Sequence, residues 1–265
     1  MIFGEKFYPS LQKLSPWRQS LFALTLTQRQ YANFALFCQM QENNEAIKAF
    51  DKALISLWTF HQDKFNHIDL ESEIRLIDPF IIDPEQYLGE DGEVTVGAKM
   101  AINALSSLTA AYDAIIMKEG NEAEIASKSS LSCVILACEH SLGEEMDDDT
   151  LRECELVDEE VNFQISIFEC LKGAKRDLEL VHFLIKLSLK EDLSNVGISF
   201  ADAGLSEIEP LHYEISEEKL KELAQASSAL KSQTSAPKIY GKINASLSGK
   251  KRRKIIDSQR TFRKN

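Results

Sequence analysis

The chain has 265 residues, 44% of them hydrophobic and 27% charged, proportions that exclude a disordered or fibrous polypeptide. Eleven glycines and six prolines are few for this length and argue against a turn-rich β-sandwich or barrel. A formal net charge of −12 disfavours an anionic partner for the chain as a whole, so any such contact has to come from a local basic stretch.

The first long helix is predicted from Ser15-Pro16, with Ser as N-cap and Pro at the first helical position. Leu21, Leu24, Gln28, Tyr31, Ala35 and Cys38 follow at steps of three and four, the stripe of a core-facing helix. A second helix is expected from Asn43-Asn44, with Phe50, Leu54, Leu57, Trp58 and His61 on one side. A short third one, capped by Asp69, carries Leu70, Ile74 and Ile77. Residues 78–93 hold two Asp-Pro pairs, Gly89 and Gly92, and read as a long connecting loop. The helix expected over about 94–118 is rich in small residues, among them Gly97, Ala98, Ala101, Ala104 and Ala111. Small side chains let neighbouring helices approach closely, which makes it the candidate for the centre of a bundle. A helix over about 121–141 is expected to turn Ile125, Ser129, Cys133, Val134 and Ala137 inward.

Beyond an acidic connection, apolar residues recur at three or four from Leu151 through Cys154, Val157, Val161, Leu171, Leu178 and Val181 to Ile185. This reads as one long stretch that Gly173 breaks or bends, closed by a left-handed stop at Asn195-Val196-Gly197. No strand-like alternation persists, so the fold class is all-α, a bundle of six or seven helices over residues 1–200. Residues 201–236 read as a linker with one amphipathic helix (216–231), and 237–265 as a basic tail, expected to be disordered. From 238 onward there are ten Lys/Arg and one acid, a balance of +9; the chain before it carries 20 basic and 41 acidic side chains, a balance of −21. Such an asymmetry predicts an interaction arm.

The longest uncharged run, residues 100–112, is thirteen residues against the roughly 20 that a membrane span needs. No basic region followed by an apolar one opens the sequence, and the five cysteines have no zinc-like spacing. These features predict a cytoplasmic protein with reduced thiols and no membrane contact.

The residues Trp17-Arg18, Arg29-Gln30-Tyr31-Ala32-Asn33-Phe34 and Phe37-Cys38 open the chain, and Arg176-Asp177-Leu178-Glu179-Leu180 and Ser194-Asn195-Val196-Gly197-Ile198 with Phe200 close the body. In combination they resemble the bacterial YjaG-like proteins, a domain-of-unknown-function family, over roughly residues 10–200. Ala32 departs from the pattern, where a proline is expected. The resemblance implies a helical cytosolic protein; it supplies no activity and no catalytic residue.

Glu179-x-x-His182 has the spacing that puts a carboxylate and an imidazole on one side of a helix in di-iron bundles. The other match, Glu209 to His212, contains Pro210, and Glu179 and His182 stand one step off the Leu178/Val181/Ile185 stripe, as a solvated pair would. A metal-binding bundle or enzyme built on His182 and helix-borne carboxylates is therefore the alternative reading, not the leading one. Cys133, Cys138, Glu139 and His140 cluster without closing a tetrahedral set, and His61 and His67 read as structural. Nucleophile motifs and phosphate loops are absent, which argues against an enzyme and leaves no catalytic residue, metal ligand or cofactor to name.

Two charge clusters stand out. Residues 139–160 hold eleven acids against Arg152 alone, more than helix capping requires, so Asp147, Asp148, Asp149, Glu153, Asp158 and Glu159 form a candidate surface for a basic partner. The run Lys250, Lys251, Arg252, Arg253, Lys254, with Arg260, Arg263 and Lys264 beyond, is a candidate contact for nucleic acid or another polyanion. The leading expectation is a non-enzymatic interaction protein. Its helical body meets a protein partner or a second copy, and its basic tail contacts nucleic acid, non-specifically, or an acidic partner.

Overall fold

Pro16 opens a helix of 25 residues, and the rest of the fold is assembled around it. The computed structural model describes residues 2–62, 67–189 and 192–205. In chain order these form α1 (Phe7–Leu11), α2 (Pro16–Met40), α3 (Asn44–Gln62) and α4 (Leu70–Ile74), then 3₁₀ turns at Arg75–Phe80 and Pro84–Tyr87. They continue with α5 (Val96–Ile116), α6 (Glu122–Leu142), α7 (Asp148–Glu153), α8 (Glu155–Lys172) and α9 (Leu178–Ser188). Six of these (α2, α3, α5, α6, α8 and α9) are eleven residues or longer, which is the all-α bundle expected. Among the described residues there are no strands, only isolated bridges at Leu88/Val94 and Leu193/Ser199. The helix expected over 216–231 and the basic tail lie outside the described residues.

The centre is α2, not the small-residue helix α5. Eighteen residues of α2 are buried, and it packs against α3, α5, α6, α8 and α9. A helix buried all round loses its apolar stripe. Here three of the buried polar residues bond within the helix: Thr25 Oγ1 donates to Leu21 O (2.7 Å), Thr27 Oγ1 to Ala23 O (2.8 Å) and Gln30 Nε2 to Leu26 O (3.2 Å). Ser15 takes the N-cap with extended backbone, but its hydroxyl makes no capping bond. The small residues of α5 do allow close approach to α2, with the two helices antiparallel. Gly97 faces the Phe37 ring, and at the other end Ser20 Oγ reaches the backbone carbonyl of Ala111 at 2.6 Å.

Helix α6 packs against α2, α5 and α8 together, which broadens its buried face; Ser129, Cys133 and Val134 are buried as expected. Ala123, Ala126, Ser130, Cys133 and Val134 are buried, whereas Ile125, expected inside, is 40% exposed. Gly143, at φ 73°, closes the helix in the left-handed conformation. The long stretch expected after it is three helices. Gly173 ends α8, and extended backbone at Cys154 separates α7 from α8, a break the periodicity conceals. Asp177 caps α9 by accepting from Glu179 N, which leaves Leu178 exposed and turns Leu180, Val181, Leu184 and Ile185 inward. Helix α9 stops at Ser188. Gly197 does adopt positive φ (81°), but in a tight turn where Ser194 N donates to Ile198 O at 2.8 Å, not at a helix end. Packing continues through Ala203 and Leu205, which join the main core around α2. A second, smaller apolar cluster lies where α6, α7 and α8 meet, and includes Phe3, Leu131, Cys138, Leu151, Cys154 and Val157.

Candidate functional site

The two ends of the sequence signature meet in a buried polar clasp. Asn195, in the 194–198 turn, accepts from Asn33 Nδ2 (2.8 Å) and donates from Nδ2 to Ser130 O (3.0 Å), while its backbone N–H bonds Arg29 O (3.1 Å). Ser130 Oγ donates onward to Glu160 Oε1 (2.6 Å), which also accepts from Gln164 Nε2 (2.7 Å). Arg29 closes the circuit: its Nη1 reaches Glu160 Oε2 at 2.7 Å, and its guanidinium lies 3.9 Å over the Phe163 ring. Glu160 is thus one of the eleven acids of 139–160 but no part of a surface, with its side chain 1% exposed. The buried carboxylate accepts three bonds, one of them from an arginine. The clasp ties α2, α6, α8 and the 194–198 turn together, and only Asn33 Oδ1 is left buried in it without a hydrogen-bond partner.

A second polar cluster joins the start of α2 to the ends of α3 and α8. Arg18 Nη2 donates to Ala174 O (2.5 Å) just past α8, and Arg176 Nη2 to Phe60 O (3.0 Å) in the last turn of α3. Cations at the C-termini of helices are favoured by the helix dipole and satisfy terminal carbonyls. His61, beside Phe60, is buried against Ser20 Oγ at 2.9 Å. Its Nδ1 has no hydrogen-bond partner, and His67 is exposed.

The thiols divide into two kinds. Burial pushes the Cys38 thiol up to about 12 and the Cys170 thiol up to about 11. Cys133 is also raised by burial, and its Sγ lies 3.5 Å from Gln30 Oε1. Cys138 and Cys154 differ: their sulfurs are 3.2 Å apart. The Cys138 hydrogen bond favours a thiolate on Cys154, as do the N–H groups of Val157 and Leu156 at the start of α8, so Cys154 is lowered and Cys138 raised. Cys138 therefore pairs across the α7–α8 break and not with Cys133 or His140, which is exposed.

Of the acidic candidates, Asp147, Asp149, Glu153, Asp158 and Glu159 are exposed, and the Asp148 side chain lies outside what is described. Asp147 caps α7 through Thr150 N, and Asp149 pairs with Arg152. The remaining three leave an acidic face on α7 and α8. The Glu179/His182 pair is not the solvated one expected: His182 is buried, and burial lowers its pKa, while Glu179 is half-buried. Among the described residues no group of three or more His, Cys, Asp or Glu is placed to hold a metal ion. Lys250, Lys251, Arg252, Arg253, Lys254, Arg260, Arg263 and Lys264 lie outside the described residues.

One feature with room for a ligand was not anticipated. Residues 74–82, α5 and the start of α6 enclose a groove of about 540 Å³. Ile74, Ile77, Ile102 and Leu105 line it, with Ile81 (68% exposed) and Ile125 (40% exposed) also on its walls. Asp78, Asp113, Glu119 and Glu122 supply its charge, and no Lys or Arg lines it. Glu122 is held in place by Glu119 N (2.6 Å) and Gly120 N (2.9 Å), while burial, then Glu122 and Glu119, push the Asp113 carboxyl up. The outward turn of Ile125 and the adjacent pair Ile81-Ile82, set in a stretch read as loop, were the available signals. Such a groove suits an apolar group that carries positive charge.

The profile of a family described as protein of unknown function, DUF416, matches residues 6–199. The chain belongs to the DUF416 family. Similar proteins include an uncharacterized protein of Haemophilus influenzae, 29% identical over 192 residues that cover 72% of this chain and 95% of that one. The uncharacterized protein YjaG of Escherichia coli K12 is 27% identical over 193 residues, 72% of this chain and 94% of YjaG. A crystal structure of a DUF416 family protein from Shewanella baltica OS155 has the same fold, with a TM-score of 0.62 at 24% identity, over 73% of this chain and 98% of that one. The clasp, from Arg29 to Asn195, lies within the DUF416 match, as do the groove and the thiol pair. Among the described residues no helix is long and apolar enough to cross a membrane.

Proposed function

We propose that this DUF416 protein is a non-enzymatic, cytoplasmic interaction protein, with a helical body that docks a protein segment and a basic tail that contacts nucleic acid or an acidic partner. The observation that carries the reading is the distribution of charge: −21 before residue 238 and +9 after it. On the body, that charge borders an apolar groove with four acids and no cation. The clasp supports the same reading, because it commits the polar residues of the family signature to holding helices together.

The tail is tested by titrating the full chain against a single-stranded oligonucleotide over a range of salt. Replacing Lys250, Lys251, Arg252, Arg253 and Lys254 with Gln is expected to lower the slope of log K against log salt by about 3.5, at roughly 0.7 per charge. An unchanged slope removes the tail from the interface. The groove is tested by capture of protein partners after nuclease treatment. Partners that survive nuclease are expected to be lost from an Ile81→Asp variant, and their retention would move the docking surface elsewhere.

A further inference from the structure

We propose that Cys138 and Cys154 are a redox modification site, at which hydrogen peroxide makes a reversible disulfide. The inference is independent of the groove and the tail. It starts from the 3.2 Å between the two sulfurs, about 1 Å more than a covalent S–S bond. That gap lies at a joint. Cys138 is in the last turn but one of α6, and Cys154 is the non-helical residue (φ −78°, ψ 119°) between α7 and α8, so closing it bends a junction and not a helix. Cys133, by contrast, lies against Gln30 Oε1 and Met100 O, and neither Cys38 nor Cys170 has a thiol neighbour.

Access sets the order of events. Cys154 is 9% exposed and lies at the start of an 18-residue helix whose first N–H groups favour a negative sulfur; Cys138 is 1% exposed and lies behind it. The Cys154 thiolate attacks one peroxide oxygen: an S–O bond forms, the O–O bond breaks, and hydroxide leaves and is protonated to water. Cys154 is then a sulfenic acid, oxidised by two electrons, and the peroxide is reduced. The Cys138 sulfur attacks that sulfur: the S–S bond forms, the S–O bond breaks, and the departing hydroxyl takes the Cys138 proton as water. The sum is two thiols and one peroxide giving one disulfide and two waters, reversed by a dithiol reductant. The product closes a loop over 139–153, which contains Asp147, Asp149 and Glu153, and so ties α7 between α6 and α8.

The test exposes the full-length protein to hydrogen peroxide, blocks the remaining thiols, and maps peptides by mass spectrometry with and without dithiothreitol. A Cys138–Cys154 linked peptide is expected, lost on reduction, with Cys154 oxidised on the order of tenfold or more faster than Cys38, Cys133 and Cys170. In Cys138→Ser the sulfenic acid on Cys154 should persist and be captured by dimedone; in Cys154→Ser, Cys138 should stay reduced. The wild-type map needs no variant to fold. A disulfide between other cysteines or between chains, irreversible acids on Cys154 with no linked peptide, or equal reactivity of all five thiols would each overturn the assignment.

Discussion

At Ser20 the hydroxyl hydrogen is directed to Ala111 O, so the bond to His61 requires the proton on Nε2 of the imidazole and leaves Nδ1 bare. Burial, and after it the charge of Arg176, push the pKa of His61 down to about 3. In the unfolded chain the same group titrates near 6.5. As the pH falls below about 6.5 the unfolded state takes up a proton that the folded state refuses. Stability is therefore full above that point and declines by up to about 1.4 kcal/mol per pH unit towards pH 3. His61→Gln, which keeps a donor for Ser20, should flatten this part of the urea-midpoint profile; parallel profiles for the two proteins would show that His61 is not buried neutral. The clasp makes a second residue-scale prediction. Arg29→Met strands the Glu160 carboxylate and should cost about 3–5 kcal/mol in urea unfolding, whereas Arg29→Met with Glu160→Gln should recover much of it. If the double variant is as unstable as the single one, packing on Phe163 rather than charge is what Arg29 contributes.

Between elements, the sequence pattern was most reliable where a helix has one wet face, and least where it has none. Helix α3 follows its expected stripe, because one side of it meets solvent. On α2 the buried Thr25, Thr27 and Gln30 look like the polar half of an amphipathic helix, since bonds to their own backbone cannot be read from residue type. The same limit hid the site: α6 packs on three helices at once, so its buried face is broader than one stripe; Ser129, Cys133 and Val134 are inside as expected, but Ile125 is not, and with it went the groove. The Cys138/Cys154 contact crosses a helix break and leaves no periodic trace. The αL residue at the end of α6 was equally unmarked by the periodicity, yet it has a measurable consequence. Gly143→Ala should lower stability by about 1 kcal/mol, because a side chain there resists φ 73°. No loss would mean that the helix ends differently in solution.

Over the whole molecule, the oxidised and reduced forms should differ in thermal stability. A loop of about 15 residues closed by a disulfide stabilises by up to about 3 kcal/mol, which raises the Tm measurably in peroxide-treated protein and not in Cys138→Ser. The arrangement of helices around α2 has a different outcome, one of timing. Residues 16–40 leave the ribosome before their partners in α5, α6, α8 and α9, which extend to residue 188. At the usual 5–20 residues per second, α2 waits roughly 7–30 s for the last of them. Through that interval the eighteen side chains that end up innermost lack their full set of partners. The nascent chain is then a client for whatever shields apolar segments during synthesis, and it should collapse to its final shape late and all at once, only after α9 has emerged.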